Sequence, residues 1–296
     1  MITLRGMYGF GDCIFQRAVV REVMREQPVV LETFYRSLYH DLVKQGLGLR
    51  LITGHAPRMR ERVPLRNRFK DPAFPKGPRI RINYLPEQIH RTGSILAAQF
   101  DSVGMDMPDK PDFSIQVKPE WRQWAREAVG PVNKPIMVYR PIVLNNLWRS
   151  EARAPDPALY STLFRTIRDR YHVVSIANLG DHGEYIVGEN QDADTNFNRG
   201  ELDFETMSGL FANAELSFTC PGFAPVLSQA VGTRTVIVYG ANECYRTTNS
   251  VGDHFASTLA IEPDIPCDHH MKECDCSKHI TLPPAIARLE EFICAS

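Results

Sequence analysis

Apolar positions along the chain fall into short runs that alternate with helical stripes. Ile2–Arg5 reads as a strand, and Ile14, Phe15, Ala18, Val19, Val23 and Met24 repeat with the spacing of one helix face. Pro28 to Phe34 reads as a second strand, residues 36–45 as a helix and Leu49–Ile52 as a third strand. Such a β-α-β-α-β run predicts a parallel sheet covered by helices on both faces. Residues 54–84 break the rhythm with Pro, Gly and Arg and read as a long loop; a helical stretch follows from Pro86 to about Val103. The rhythm restarts with strands at Pro135–Tyr139, His172–Ile176, Leu216–Thr219, Thr235–Val238 and Thr258–Ile261. Helices are expected at Pro157–Arg170, across Phe204, Met207, Leu210 and Phe211, from about 224, and at Pro284–Cys294. Gly130–Pro135 is the natural linker, so the pattern predicts two α/β units, 1–130 and 131–296, with a ligand cleft between them.

Composition keeps this picture and narrows the setting. The 296 residues are 43% hydrophobic and 23% charged, as in globular proteins that bury a core. No run approaches the roughly 20 apolar residues of a membrane span, and no apolar region follows Met1-Ile-Thr-Leu-Arg5 as in a signal peptide. A cytoplasmic location without membrane insertion is therefore expected. Seven unevenly placed cysteines are not a secreted disulfide framework. The net charge of −1 hides a split, because residues 1–92 hold 17 Lys+Arg against 8 Asp+Glu. Its focus is Arg58, Arg60, Arg62, Arg66, Arg68, Lys70, Lys76, Arg79 and Arg81. A basic track of this kind suits either an anionic partner or a solvated loop balancing the acidic second half.

The turn Gly6-Met-Tyr-Gly9-Phe-Gly11-Asp12 joins the first strand to the first helix and admits three readings. Dinucleotide binding fits a glycine-rich turn followed by Glu32, but the G-x-x-G-x-G spacing departs from the usual fingerprint and Asp12 brings a negative charge to the pyrophosphate position. Asp12 as a helix N-cap is the structural reading. Asp12 as a carboxylate that takes a proton from an attacking hydroxyl is the catalytic one.

Four stretches, in order, resemble a known family. They are Tyr8-Gly-Phe-Gly11-Asp12 with its helix; Arg199 to Leu216; Thr219-Cys-Pro-Gly222-Phe-Ala-Pro225 through Gly240; and the Cys-rich loop from Pro266-Cys267 to Cys276. Together they resemble the heptosyltransferase-like glycosyltransferases of the ADP-heptose:lipopolysaccharide type, with residues 54–110 poorly matched. The resemblance implies two Rossmann-like domains facing across a cleft, the B-type glycosyltransferase architecture. It further implies an acceptor-binding first domain, a nucleotide-sugar-binding second domain and an inverting transfer. Asp12 takes the general base position beside Gly9 and Gly11. Arg140 and Arg149, next to Trp148, are the nearest equivalents of the cation for the donor diphosphate, which suits a guanidinium fork. The family's Asp-Ser-Gly and following His are replaced here by Cys220-Pro221-Gly222-Phe-Ala-Pro225. Gly222, Phe223 and Ala224 still offer backbone N–H groups at a helix start. The donor is thus expected to be a UDP-, GDP- or ADP-linked sugar.

Two further motifs bear on metals. Asp192-Ala-Asp194 matches a D-x-D, but transferases of this architecture stabilise the leaving diphosphate with cations and helix dipoles, so no obligatory metal is expected. Cys267, His269, His270, Cys274, Cys276 and His279 offer soft ligands, and Cys267, Cys274, Cys276 and His279 form the candidate zinc set, on a spacing outside the standard patterns. Trp121, Trp124 and Trp148 are expected to pack in core or domain contacts. For the acceptor, the basic track with Arg58, Arg60, Arg62, Arg66, Arg68 and Lys70 argues for a polyanion. The leading expectation is DNA carrying 5-hydroxymethylpyrimidines, as in some bacteriophages, with a flipped base as substrate. The alternative is lipopolysaccharide or another surface glycan.

Overall fold

The computed structural model describes residues 1–52, 79–145, 150–179, 184–267, 269 and 274–295. The first half opens with strand β1 (Ile2–Arg5), helix α1 (Phe10–Glu26) and strand β2 (Val29–Thr33), followed by a 3-10 turn, helix α2 (His40–Lys44) and strand β3 (Gly48–Leu51). All five residues of β2 are buried, as expected of a parallel strand covered on both faces. Strand β4 (Arg79–Arg81) then joins β1, giving an all-parallel sheet of order β3-β2-β1-β4 with Leu4 opposite Leu31 and Ile80. β4 lies where the sequence reads as loop. Its three residues are too few to show a period. The predicted helix at 86–103 divides into α3 (Pro86–Thr92) and α4 (Ile95–Asp101), because Ser94 caps the second helix by accepting from the Ala97 N–H at 3.1 Å.

Helix α5 (Pro119–Val129) leads into the second half. There follow β5 (Ile136–Tyr139), β6 (Val143–Asn145), α6 (Pro157–Ile167), β7 (His172–Ile176), β8 (Glu184–Ile186), β9 (Thr195–Phe197), α7 (Phe204–Asn213), β10 (Leu216–Thr219), α8 (Phe223–Val231), β11 (Arg234–Val238), α9 (Tyr245–Thr248), β12 (Thr258–Ile261) and α10 (Leu282–Cys294). Asp156 caps α6 by accepting from the Ala158 and Leu159 N–H groups, and Asp203 caps α7 through the Thr206 N–H. The second sheet is parallel throughout, in the order β12-β11-β10-β5-β7-β9, while β6 and β8 form a separate antiparallel pair. Chain order reverses between β5 and β10, and in open α/β sheets ligands bind outside the carboxyl ends of strands at such a switch point. The first sheet has its own switch point between β1 and β4, at the end of β1 that leads into the glycine turn.

One apolar core runs from β1 and α1 across to α7 and α8 of the second half, and a second core fills the far face of the second sheet. At the crossing, Phe10 stands edge-on to Tyr35, Phe204 and Phe223, with ring centroids 5.1, 5.9 and 5.5 Å away. Trp121 packs on His40 and Phe204, in the core role expected of it. Among the described residues no helix is long and apolar enough to cross a membrane.

Candidate active site

The two switch points face one another across a cavity of about 1000 Å³. Its walls include Tyr8 to Asp12 from the first glycine turn, Tyr84 after β4, Arg140 after β5, Cys220 to Ala224 after β10, and Glu243 after β11. These positions follow parallel strands of both sheets, so a ligand here touches both halves.

Asp12 is the third residue of α1, and the N-cap is Gly9, which carries no side-chain cap. The N-cap reading of Asp12 is therefore replaced. Its carboxylate folds back beside Gly9, where a Cβ would stand 2.2 Å from Oδ2, so the bare Cα leaves room for the carboxylate. The Tyr84 hydroxyl donates to Asp12 Oδ1 at 2.9 Å. Burial, and then the Asp12 charge, push the Tyr84 phenol well above its ordinary pKa, so it stays a donor to Asp12 at neutral pH. Gln99 donates to the Asp12 backbone carbonyl at 3.3 Å.

Gly11 faces the second half directly. A Cβ on it would meet Phe223 Cα at 3.2 Å and the Gly222 carbonyl at 3.5 Å. The first turns of α1 and α8 thus meet at one wall of the cavity, and both helices present the positive ends of their dipoles there. Gly222, Phe223 and Ala224 all line the cavity.

Arg140 lines it too, but it is 7% exposed and already held. Its guanidinium donates to Glu184 at 3.0 and 3.1 Å and to the Ile176 carbonyl at 3.1 Å, and lies 5.1 Å from the Phe223 ring centroid. Arg153 also lines the cavity; its side chain is 40% exposed and pairs with the buried Glu243 at 2.8 Å. Burial lowers the pKa of Arg153, but the charge of Glu243, joined by that of Asp12, outweighs it, leaving a net upward shift. Arg81 and Arg199 are further cations of the lining among the described residues. The Cys220 thiol, in place of a family acid, is buried and its pKa is pushed up by that burial.

Trp148 and Arg149, and Arg58, Arg60, Arg62, Arg66, Arg68 and Lys70 of the basic track, lie outside the described residues. Asp194 of the D-x-D is engaged elsewhere, pairing with Arg168 at 2.9 Å and accepting from the Val173 N–H at 2.7 Å. The Cys-rich loop brings Cys267, Cys274 and Cys276 together with His269, not with His279. Tyr84, Arg153 and Glu243 were not singled out in the sequence. A signal for Glu243 was available, because Asn242-Glu243 follows β11 at the carboxyl edge of the sheet. Arg153 and Tyr84 lie in irregular segments that no period marks.

No family model matches the chain, nor does any curated protein. Solved structures do. E. coli ADP-heptose LPS heptosyltransferase II aligns with a TM-score of 0.62 at 10% identity, covering 99% of this chain and 98% of that one. A glycosyl transferase family 9 protein from Veillonella parvula aligns at 0.60 and 10% identity, over 100% and 97%. The iron-containing dodecameric glycosyltransferase TibC of enterotoxigenic E. coli aligns at 0.61 and 10% identity, over 99% and 75%, and has also been solved as a heptosyltransferase in complex with ADP-D-beta-D-heptose. The chain shares their fold: two Rossmann-like halves facing across a cleft, as the motifs implied.

Proposed function

We propose that this chain is a nucleotide-sugar-dependent, inverting glycosyltransferase of the heptosyltransferase type, acting on a hydroxyl of a surface glycan. One observation carries the reading: the Asp12 carboxylate, oriented by Tyr84, lines the cavity where the amino ends of α1 and α8 meet beside Arg153. The first half, to about residue 130, takes the acceptor and the second takes the donor. Backbone N–H groups of Gly222, Phe223 and Ala224, with Arg153 and the more tightly held Arg140, receive the donor diphosphate.

In the reaction, an acceptor hydroxyl oxygen attacks the anomeric carbon from the face opposite the diphosphate. Its proton passes to Asp12, the carbon–oxygen bond to the diphosphate breaks, and the electron pair leaves with the nucleoside diphosphate. A single displacement inverts the anomeric centre. The positive helix ends and arginines stabilise the charge that grows on the leaving oxygens, where fixed donors contribute most.

Likeness to heptosyltransferases, one of them named for lipopolysaccharide and another complexed with ADP-D-beta-D-heptose, favours an ADP-linked donor and a glycan acceptor. The DNA acceptor rests on the basic track alone. The test offers ADP-heptose and ADP-, GDP- and UDP-hexoses against lipopolysaccharide core oligosaccharide and against hydroxymethylated duplex DNA, with mass spectrometry of both acceptors. A heptose- or hexose-sized gain on the oligosaccharide is expected. A gain on the base instead would restore the DNA acceptor. Neither transfer nor donor hydrolysis with any pair would defeat the enzyme reading.

A further inference from the structure

The segment between β12 and α10 lies outside the cleft and has no part in the reaction proposed above. Its base is closed by Asp264, whose N–H donates to the His279 carbonyl at 2.9 Å and whose carboxylate accepts from the Thr281 N–H and hydroxyl at 3.2 and 2.6 Å. Further out, four side chains converge. Cys267 Sγ lies 3.3 Å from His269 Nδ1 and 3.5 Å from Cys274 Sγ, and Cys276 Sγ lies 3.3 Å from the same His269 nitrogen. All four donor atoms fall within 4.8 Å of one another.

Three sulfurs and one imidazole nitrogen so arranged have a specific chemical use. A tetrahedral ion with bonds of about 2.3 Å to sulfur and about 2.0–2.1 Å to nitrogen holds its ligand atoms ~3.5–3.8 Å apart. Three of the six separations, at 3.3 to 3.5 Å, fall at the lower edge of that range or a few tenths of an ångström short of it, and all six stay within 4.8 Å, so closure on an ion needs shifts of about an ångström or less. All four cysteines of this C-terminal region are free thiols, so no disulfide competes for the sulfurs. With four protein ligands the coordination shell is full and leaves no open position for a substrate, the arrangement of a structural site.

We propose that Cys267, His269, Cys274 and Cys276 bind one tetrahedral zinc or iron(II) ion that clasps this loop. The clasp has a mechanical connection to the cleft. Lys278, two residues beyond Cys276, donates to the carbonyl of Glu151, and Glu151 stands two residues before Arg153. The ion therefore anchors the loop that braces the segment carrying Arg153. Because the unfolded chain has no such preformed site, the binding energy of the ion contributes directly to folding.

The test uses the full chain without a histidine tag, purified under reducing, oxygen-free conditions. Elemental analysis is expected to find about one equivalent of zinc or iron, and the element found says which ion the chain selects. Chelation is expected to lower Tm by about 5 °C or more. Reconstitution with cobalt(II) is expected to give the visible absorption of tetrahedral thiolate cobalt. His269→Ala and Cys276→Ser lose the ion and the cobalt spectrum, while His279→Ala keeps both. A chain that holds no metal and takes up no cobalt overturns the proposal. So does an ion that survives His269→Ala and is lost in His279→Ala.

Discussion

At the scale of single residues, Asp12 and Arg153 carry separable duties. In the proposed reaction Asp12 takes the acceptor proton, so Asp12→Asn removes that base while keeping shape and the Tyr84 hydrogen bond. Loss of a positioned general base costs about 10²–10⁴ in rate, and kcat should fall by that factor with donor affinity unchanged. Steady-state rates paired with calorimetric titration of the nucleotide check this; a fall of less than about tenfold would remove Asp12 from the role. In the same proposal Arg153 acts on the donor instead. A hydrogen bond to a charged group contributes roughly 1.5–3 kcal/mol, so Arg153→Ala should raise the donor KM by about 10- to 100-fold. Arg153→Lys keeps the charge but loses the fork, and an intermediate KM is expected from the same titration. Only part of this site is legible from sequence. Asp12 and Gly222 stand in motifs that a strand-to-helix turn makes visible. Arg153 and Tyr84 reach the cavity by tertiary placement alone, and Arg140, which the sequence nominates, spends its charge on Glu184.

At the scale of elements, α1 is tied to its neighbours through a buried charge as well as through its apolar face. Arg17, fully buried, pairs with Asp41 on α2 at 2.7 Å and donates to the Phe113 and Ser114 carbonyls, while Arg21 meets the same carboxylate at 2.9 Å. Removing Asp41 leaves the fully buried Arg17 guanidinium without its carboxylate, while Arg21 keeps Asp112 at 3.5 Å, and breaking a buried pair costs about 3–5 kcal/mol. Asp41→Asn should therefore lower stability by that amount in denaturant titration, without changing the cavity. Burial raises the Asp41 pKa, but the Arg17 hydrogen bond and the charges of Arg17 and Arg21 outweigh it and hold the carboxyl below its ordinary value. The carboxylate's contribution is complete above the unfolded value of about 3.9 and is lost as pH falls through the lower folded value. Wild type and Asp41→Asn should thus begin to converge in stability as pH falls below about 4 and meet only below the lower folded value. None of this network shows in the hydrophobic pattern, which places α1 and α2 correctly yet treats their charges as surface. The same limit applies to strands. Those of four or five residues are long enough to stand out as apolar runs, β2 and β10 most plainly because every residue in them is buried. β4, β6, β8 and β9, with three residues each, are set by their neighbours in the sheet.

At the scale of the whole molecule, the cavity exists because two halves meet at a fixed distance. That distance is set where Gly11 lies against the backbone of Gly222 and Phe223, with Phe10 locked among Tyr35, Phe204 and Phe223 around it. The neighbours of a Cβ on Gly11 are backbone atoms, which have no rotamer with which to yield. A methyl at 3.2 Å asks for a shift of a few tenths of an ångström, and a branched side chain asks for more. Gly11→Ala should therefore cost about 1 kcal/mol of stability and Gly11→Val up to about 3, as overpacking does. The larger consequence falls on turnover, because a wedge here parts Asp12 from the donor-binding helix end. Misplacing reacting groups by about 1 Å costs on the order of 10²-fold, so kcat should decline from wild type through Ala to Val. Binding of the isolated nucleotide, which the proposed function assigns to the second half, should hold steady across the series. A graded loss of kcat at constant nucleotide affinity would place the chemistry across the junction. Equal activity in all three chains would mean that the two halves do not act on one substrate pair.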